Sequence, residues 1–435
     1  MKKKLFILCA SLFVQSVFGQ KVEKYITEKS VTRVIKTLAS DDMMGRPSAR
    51  PEFIDKAAAF IEAEFKKIGL EPLKGLTGYR QEFVKERIRP QMLLVSLDGK
   101  IISPDDAVLI SEKADVNLSH GLAIKRLEYD STVSNKSQYF FDKAFGLVGD
   151  TASCLVLVDS KFGANFKEFK GYFNERFTRN RKYTKIFVLG SYAATSYSIK
   201  ATQKIETIKM ANVVGVLQGA SKASEMVVFS GHYDHLGISL PIAGDSIANG
   251  ADDDASGTTA VIELARYFKK SKNNQRTLVF AAFTAEEIGG YGSKYFSEQL
   301  NPDQVVAMFN IEMIGKPSKW GQNSAFITGF DRSDFGTILQ KNLTGTPFQF
   351  HPDPYPEQDL FYRSDNATLA RQGVPAHSIS TDEIDIDKFY HTVNDEVETL
   401  NMKNITSTIR AIALSAKSIV DGTDTPKRID KALVR

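Results

Sequence analysis

The chain has 435 residues, enough for two or three domains. Its 42% hydrophobic and 25% charged residues are the make-up of a packed globular protein, which excludes a disordered, collagen-like or coiled-coil chain. Lys and Arg total 56 against 52 Asp and Glu, and the net +4 is too small a surplus to point to nucleic acid or an anionic membrane as partner.

Residues 1–19 read as a secretory signal peptide. Lys2, Lys3 and Lys4 precede an apolar stretch from Leu5 to Val14, and Val17-Phe18-Gly19 offers a cut ahead of Gln20. Gln15 and Ser16 interrupt that stretch too early for a membrane span, and no later run approaches about 18 apolar residues. The expectation is an exported chain, periplasmic or extracellular in a bacterium, without stable membrane insertion. Loss of the signal leaves Cys154 as the one cysteine, so no internal disulfide is expected. Within Cys154-Leu155-Val156-Leu157-Val158 it reads as a small buried hydrophobe.

Residues 20–95 read as a helical N-terminal part of the main domain. The spacing predicts a helix over 51–68, with Pro51 in the first turn, Ile54, Ala57, Ala58, Ile61, Phe65 and Ile68 on one face, and Gly69 after the last turn. From 96 to 205 the texture changes to short alternating runs and turns (Asp98-Gly99, Ser103-Pro104-Asp105), which predicts an inserted β-rich lobe with one helix. Phe162, Phe166, Phe169, Phe173 and Phe177 recur there at helical spacing among Lys and Arg. Such a pattern can stack on single-stranded nucleic acid. Glu168 and Glu175 dilute the charge, however, and an amphipathic helix packing its Phe stripe on a sheet is the simpler reading.

Over 206–425 strands and helices alternate, followed by a tail at 426–435. Continuous apolar runs occur at 213–217, 226–229, 278–283, 305–309, 326–327 and 374–379. Runs without alternation are buried on both faces, as in a sheet covered by helices. The last helical pattern extends from Ile405 to Val420. The fold class is α/β, with a mixed, mostly parallel central sheet sandwiched by helices.

In such sheets ligands bind beyond the carboxyl ends of the strands. There the sequence places His232-Tyr233-Asp234-His235, Glu286-Glu287 and Glu312, joined by Asp252-Asp253-Asp254 before a helix and by Tyr390-His391 in a late loop. Imidazole and carboxylate without thiolate suit Zn²⁺ or a neighbouring divalent ion. Singly, each piece has a plain structural explanation: a chance His pair, a helix N-terminal charge, a solvated strand end. Five of them in this order are hard to explain so.

With these residues in view, GHYDHLG, NGADDDASG, FTAEEIGGYGS, FNIEMIG, YRSDNATLARQGVPA and YHTVNDE resemble the co-catalytic dizinc peptidases of clan MH, which include secreted leucyl aminopeptidases. The resemblance covers roughly 206–425, the helix at 51–68, and Leu38-Ala39-Ser40-Asp41 with Gly45-Arg46 before it. The 96–205 insertion sits where relatives carry a protease-associated domain. The resemblance implies two Zn²⁺ per chain and peptide substrates. Asp253 would bridge the ions, His232 and Glu312 would complete one site, and Glu287 and His391 the other. Asp234 would orient His232, Glu286 would be the general base, and Tyr390 would donate to the oxyanion. Where this sequence has Glu312 the family usually has Asp, and the extra methylene lengthens the reach by about 1.3 Å against a coordination tolerance of about 0.2 Å.

The implied activity is that of a secreted exopeptidase, most simply an aminopeptidase. Two alternatives share the fold: a glutaminyl cyclase with a single zinc, and a non-catalytic receptor-like member. The complete ligand set argues against both. His235 reads as a pocket-lining residue, while His120, His351 and His377 lack ligand-spaced partners. Arg363 is a candidate for a substrate carboxylate. Nothing in the sequence specifies side-chain preference or oligomeric state, or decides aminopeptidase against carboxypeptidase or dipeptidase.

Overall fold

The structure, a computed structural model, describes residues 22–435 except Glu175 and Asn180; the signal-like segment 1–19 lies outside the described residues. The chain divides into two compact units, one of residues up to 83 with 210–435, the other of 84–209.

Every apolar run expected as a strand in the larger unit is one. The sheet there has the order Gln349–Pro352, Ser324–Ile327, Ala376–Ser380, Val305–Ile311, Lys222–His232, Arg276–Phe283 and the end of Tyr197–Leu217. Lys222–His232 is parallel to both its neighbours, and Ala376–Ser380 is parallel to Val305–Ile311. The outer pairings to Ser324–Ile327 and Tyr197–Leu217 are antiparallel, so the sheet is mixed and mostly parallel.

Both faces are covered, as continuous apolar strands require. Val213, Val227, Phe229, Phe280 and Phe309 pack with the helices Glu28–Leu38, Pro51–Ile68, Gly257–Ser271 and Met402–Ser415. The alternate residues Val214, Val228, Val279, Phe283 and Met308 pack on the other side with Phe296, Leu369 and Ala370 from the helices Tyr291–Glu298 and Asn366–Ala370. Successive strand side chains point to opposite faces, so a strand with helices on both sides carries no polar stripe. The helical pattern expected to run on to Val420 divides at Ala416 into Met402–Ser415 and Lys417–Val420.

The smaller unit has a four-stranded sheet in the order Ala107–Ile110, Lys185–Leu189, Cys154–Val158, Ala123–Leu127. Cys154 is fully buried in it, without a disulfide. Two helices, Lys136–Gly149 and Gly163–Gly171, replace the single expected one. The Phe stripe is not one helix either. Phe166 and Phe169 lie on Gly163–Gly171, Phe173 lies beyond its end, and Phe177 is in a short strand opposite Arg87. All five Phe are buried, four of them packing with Phe140 and Phe187, so the stripe is core and offers no stacking platform.

Among the described residues no helix is long and apolar enough to cross a membrane.

Candidate metal centre

Four adjacent parallel strands end on one edge of the sheet, and each delivers donors there. His232 closes Lys222–His232, with Asp234 and His235 just beyond. Glu286 and Glu287 follow Arg276–Phe283, and Glu312 follows Val305–Ile311. The segment 381–391, after Ala376–Ser380, ends in Tyr390 and His391. The turn Ala251–Ser256, leading into Gly257–Ser271, brings Asp253.

The three consecutive aspartates divide their work. Asp252 Oδ1 accepts from the Gly315 amide at 2.7 Å, and its Oδ2 lies 3.1 Å from Lys316 Nζ. Asp254 accepts from the amides of His232 (3.1 Å), Gly257 (3.0 Å) and Met313 (3.2 Å). Asp252 and Asp254 therefore tie neighbouring backbone down, and Asp253 alone faces the histidines. Gly257 has to be glycine for this packing, because a Cβ there would stand 2.1 Å from the Ile311 carbonyl and 2.4 Å from Asp254 Oδ1.

Asp253 presents one oxygen to each of two donor sets. His232 Nε2 lies 3.1 Å from Asp253 Oδ1 and 3.2 Å from Glu312 Oε1. His391 Nε2 lies 3.3 Å from Asp253 Oδ2 and 3.1 Å from Glu287 Oε2. Ligands about 2.0–2.1 Å from a tetrahedral ion stand about 3.3 Å apart along each edge, so both sets have the spacing of metal ligands. Glu312 reaches its place despite the longer side chain, and its other oxygen accepts from the Ser364 hydroxyl at 2.5 Å.

His235 is not merely pocket lining. Its Nδ1 is 2.7 Å from Glu287 Oε1, a hydrogen-bond distance shorter than a ligand edge, and 3.8 Å from Asp253 Oδ2. The ring packs on Gly250, whose φ is +55° and where a Cβ would meet the imidazole at 2.4 Å. His235 thus holds one oxygen of Glu287 and leaves the other for the site shared with His391.

Asp234 also differs in detail from its expected role. The nearer partner of His232 Nδ1 is the Asp234 main-chain oxygen at 3.1 Å, with the carboxylate at 3.7 Å. That carboxylate accepts from the Glu286 amide at 3.2 Å. Two further residues carry the frame. Arg46, fully buried, donates to the carbonyls of Leu38, Tyr233, Asn249 and Gly250. Asp395 accepts from the amides of Asp252 and Asp253. Three non-glycine residues at or beside donors are left-handed: Ala285 (φ +61°), Met313 (φ +47°) and His391 (φ +57°). Each conformation costs about 1–2 kcal/mol and is held by the surrounding bonds.

The electrostatics call for added positive charge. Burial disfavours the His232 cation, yet Glu312, Asp234 and Asp253 overcome this and push its pKa well above the usual value. Burial works likewise against His391, but Asp253 and Glu287 raise it to about 10. Burial pushes Glu286 well up, with His232 opposing and Glu312, Asp365 and Glu287 adding to the rise. Buried carboxylates outnumber the cations among them, and a charge left so costs several kcal/mol unless neutralised or coordinated. A divalent cation held by these donors would meet that need.

Of the other histidines, His377 is buried between Thr328 and Ser333, and His351 stacks on Trp320. His120 is exposed beside Ser119. None joins the centre. Arg363 lines the cleft over the donors, with Nη2 3.4 Å from the Tyr390 hydroxyl.

A model of peptidase family M28 matches residues 212–416, the span that holds every metal donor named above. This segment of the chain is therefore similar to peptidase family M28. Among curated relatives, a protein of Arthroderma otae named probable leucine aminopeptidase is 30% identical over 211 residues, 45% of this chain and 54% of that protein. A probable zinc metalloprotease of Leptosphaeria maculans is 34% identical over 110 residues, 25% of each chain. The chain thus spans about half, or a quarter, of the curated relatives it matches. In fold it is similar to an aminopeptidase from Aneurinibacillus sp. strain AM-1 (TM-score 0.58, 16% identity, 96% of this chain and 98% of that one). A zinc aminopeptidase from Bacillus subtilis is also similar (TM-score 0.56, 16% identity, 92% and 97%).

Proposed function

We propose that the protein is an exported zinc aminopeptidase that binds two Zn²⁺ and hydrolyses the N-terminal residue from peptides. The carrying observation is Asp253, whose two oxygens face two histidine–carboxylate sets at ligand spacing. Export rests on the pattern of residues 1–19 alone.

His232, Asp253 and Glu312 would hold one ion, and Asp253, Glu287 and His391 the other. Bound there, the ions would acidify water and polarise the scissile carbonyl. The remaining steps belong to side chains. Glu286 lines the cleft beside both sets, and no cationic side chain among the described residues pairs with its carboxylate. It is the carboxylate left free to take the proton of the attacking water at Oε and return it to the leaving amine. Tyr390 stacks on His391 with ring centroids 3.9 Å apart, which fixes its hydroxyl at the cleft to donate to the developing oxyanion.

The test is hydrolysis of leucyl-amide substrates by the full chain, with zinc counted per chain. Two zinc per chain, activity abolished by a strong chelator and restored by Zn²⁺, and no cleavage of N-acetylated substrate are expected. Full activity in metal-free protein, or preference for the blocked substrate, overturns the reading. One zinc per chain with release of pyroglutamate from N-terminal glutamine would mark a glutaminyl cyclase instead.

A further inference from the structure

The cleft that opens at Asp253, Glu286 and Glu312 is also lined by Met313, Phe326, Leu360, Ile384 and Asp382. Asp382 is 3% exposed, and neither of its carboxylate oxygens has a hydrogen-bond donor. A buried carboxylate is normally paired or hydrogen-bonded, so this one needs a reason.

The nearest cation is already committed. Lys316 Nζ lies 2.5 Å from Asp387 Oδ2 and 3.1 Å from Asp252 Oδ2, and it sits 5.5 Å from the Phe389 ring centre. Among the described residues no Lys, Arg or His pairs with Asp382. The oxygens of Asp252, Asp382 and Asp387 gather closely enough to hold a metal ion, but the Lys316 ammonium already bridges two of the three. What Asp382 lacks is a cationic partner, and the cleft it lines is otherwise largely apolar on that side. Burial, with Asp252 and Asp387 adding and Lys316 opposing, raises the Asp382 carboxyl to about 9. An arriving ammonium would take the place of that proton, which leaves to solvent.

We propose that this side of the cleft receives the side chain of the substrate's N-terminal residue and that Asp382 selects lysine or arginine there. The inference rests on the aminopeptidase reading above. A lysine or arginine fits both features of this lining: its methylenes lie against Met313, Phe326 and Leu360, and its terminal cation meets the unpaired carboxylate. Glu383 and Asp385 on the same segment add negative potential, while Arg363 near Tyr390 is the opposing charge on the cleft wall.

The experiment compares lysyl and norleucyl amides, which differ chiefly in the ammonium, with the zinc-loaded full chain and its Asp382→Asn variant. Calorimetric binding of lysinamide and norleucinamide runs in parallel. In the unsubstituted protein kcat/KM should favour lysyl over norleucyl by about 10- to 100-fold, the scale of a hydrogen bond to a charged group. In Asp382→Asn the ratio should fall toward unity. Equal or greater activity on the norleucyl substrate, or an unchanged ratio in the variant, overturns the proposal. If neither amide is cleaved, the aminopeptidase reading fails, and the binding comparison still decides whether the cavity selects the cation. If the variant does not fold, the ratio in the unsubstituted protein decides.

Discussion

His235 and Glu287 form a pair in which one imidazole nitrogen fixes one carboxylate oxygen: Nδ1 to Oε1 is 2.7 Å, while Oε2 faces His391 at 3.1 Å. Side chains that orient metal ligands typically contribute 10- to 100-fold to metal affinity. His235→Ala should therefore weaken one of two zinc sites by about that factor and leave the other unchanged. Competition with a chromogenic chelator reads the two constants separately. Equal weakening of both sites, or of neither, contradicts the role given to His235.

His377 supplies a pH dependence away from the metal centre. Burial lowers its pKa from the ordinary 6.5 to about 4; the Thr328 carbonyl opposes that shift and Arg332 adds to it. Its neutral ring donates from Nδ1 to Thr328 O and accepts at Nε2 from the Ser333 hydroxyl. Between pH 6.5 and 4 the unfolded chain binds the proton and the folded chain does not. Stability is therefore fully present above pH 6.5, is lost as pH falls toward 4, and changes no further below that from this group. The loss has a ceiling of about 3 kcal/mol. Urea unfolding of His377→Gln should show a flatter decline over this window than the unsubstituted protein, and an equally steep one would remove His377 as its source.

Arg46 is a stability prediction. One buried guanidinium satisfies carbonyls at Leu38, Tyr233, Asn249 and Gly250, joining the segment after His232 to the one before Asp253. Arg46→Met leaves these acceptors and the neighbouring Asp395 and Asp234 without their cation. The cost should be about 3–5 kcal/mol, the range for breaking a buried ionic network. Urea unfolding with a chelator present, so that metal binding does not contribute, measures it. A change under about 1 kcal/mol would mean that water replaces the guanidinium.

The sheet was legible because six short apolar runs without alternation read as strands covered on both sides, and His232, Glu286, Glu287 and Glu312 could be placed together because each lies at or just past the end of such a run. Arg46 and Asp395 were not, since their partners are main-chain groups in distant segments and leave no spacing pattern. His235 lies three residues from His232, but its direction is set by Gly250, which no local pattern reveals. The second helix of the smaller unit, Lys136–Gly149, buries only Phe140, Ala144 and Val148, a stripe too thin to stand out. The Phe spacing misled in the other direction: Gly171 ends the helix, and Phe177 continues the period only by coincidence.

The adjacent glutamates give the sharpest division of labour. Glu287 Oε2 stands at ligand spacing from His391, whereas Glu286 has no histidine partner and lines the cleft. Glu286→Gln keeps the shape but cannot accept a proton, so turnover should fall by about 10²–10⁴-fold with both zinc ions retained. Glu287→Gln replaces a charged ligand oxygen with a neutral one, so one zinc should be lost and activity should recover partly with excess Zn²⁺. Were both residues solvated strand-end charges, the substitutions would shift stability by no more than about 0.5 kcal/mol and leave zinc content unchanged. Zinc analysis of the two purified variants, read beside leucyl-amide turnover, separates these outcomes. Zinc loss from the 286 variant with full occupancy in the 287 variant would reverse the two roles.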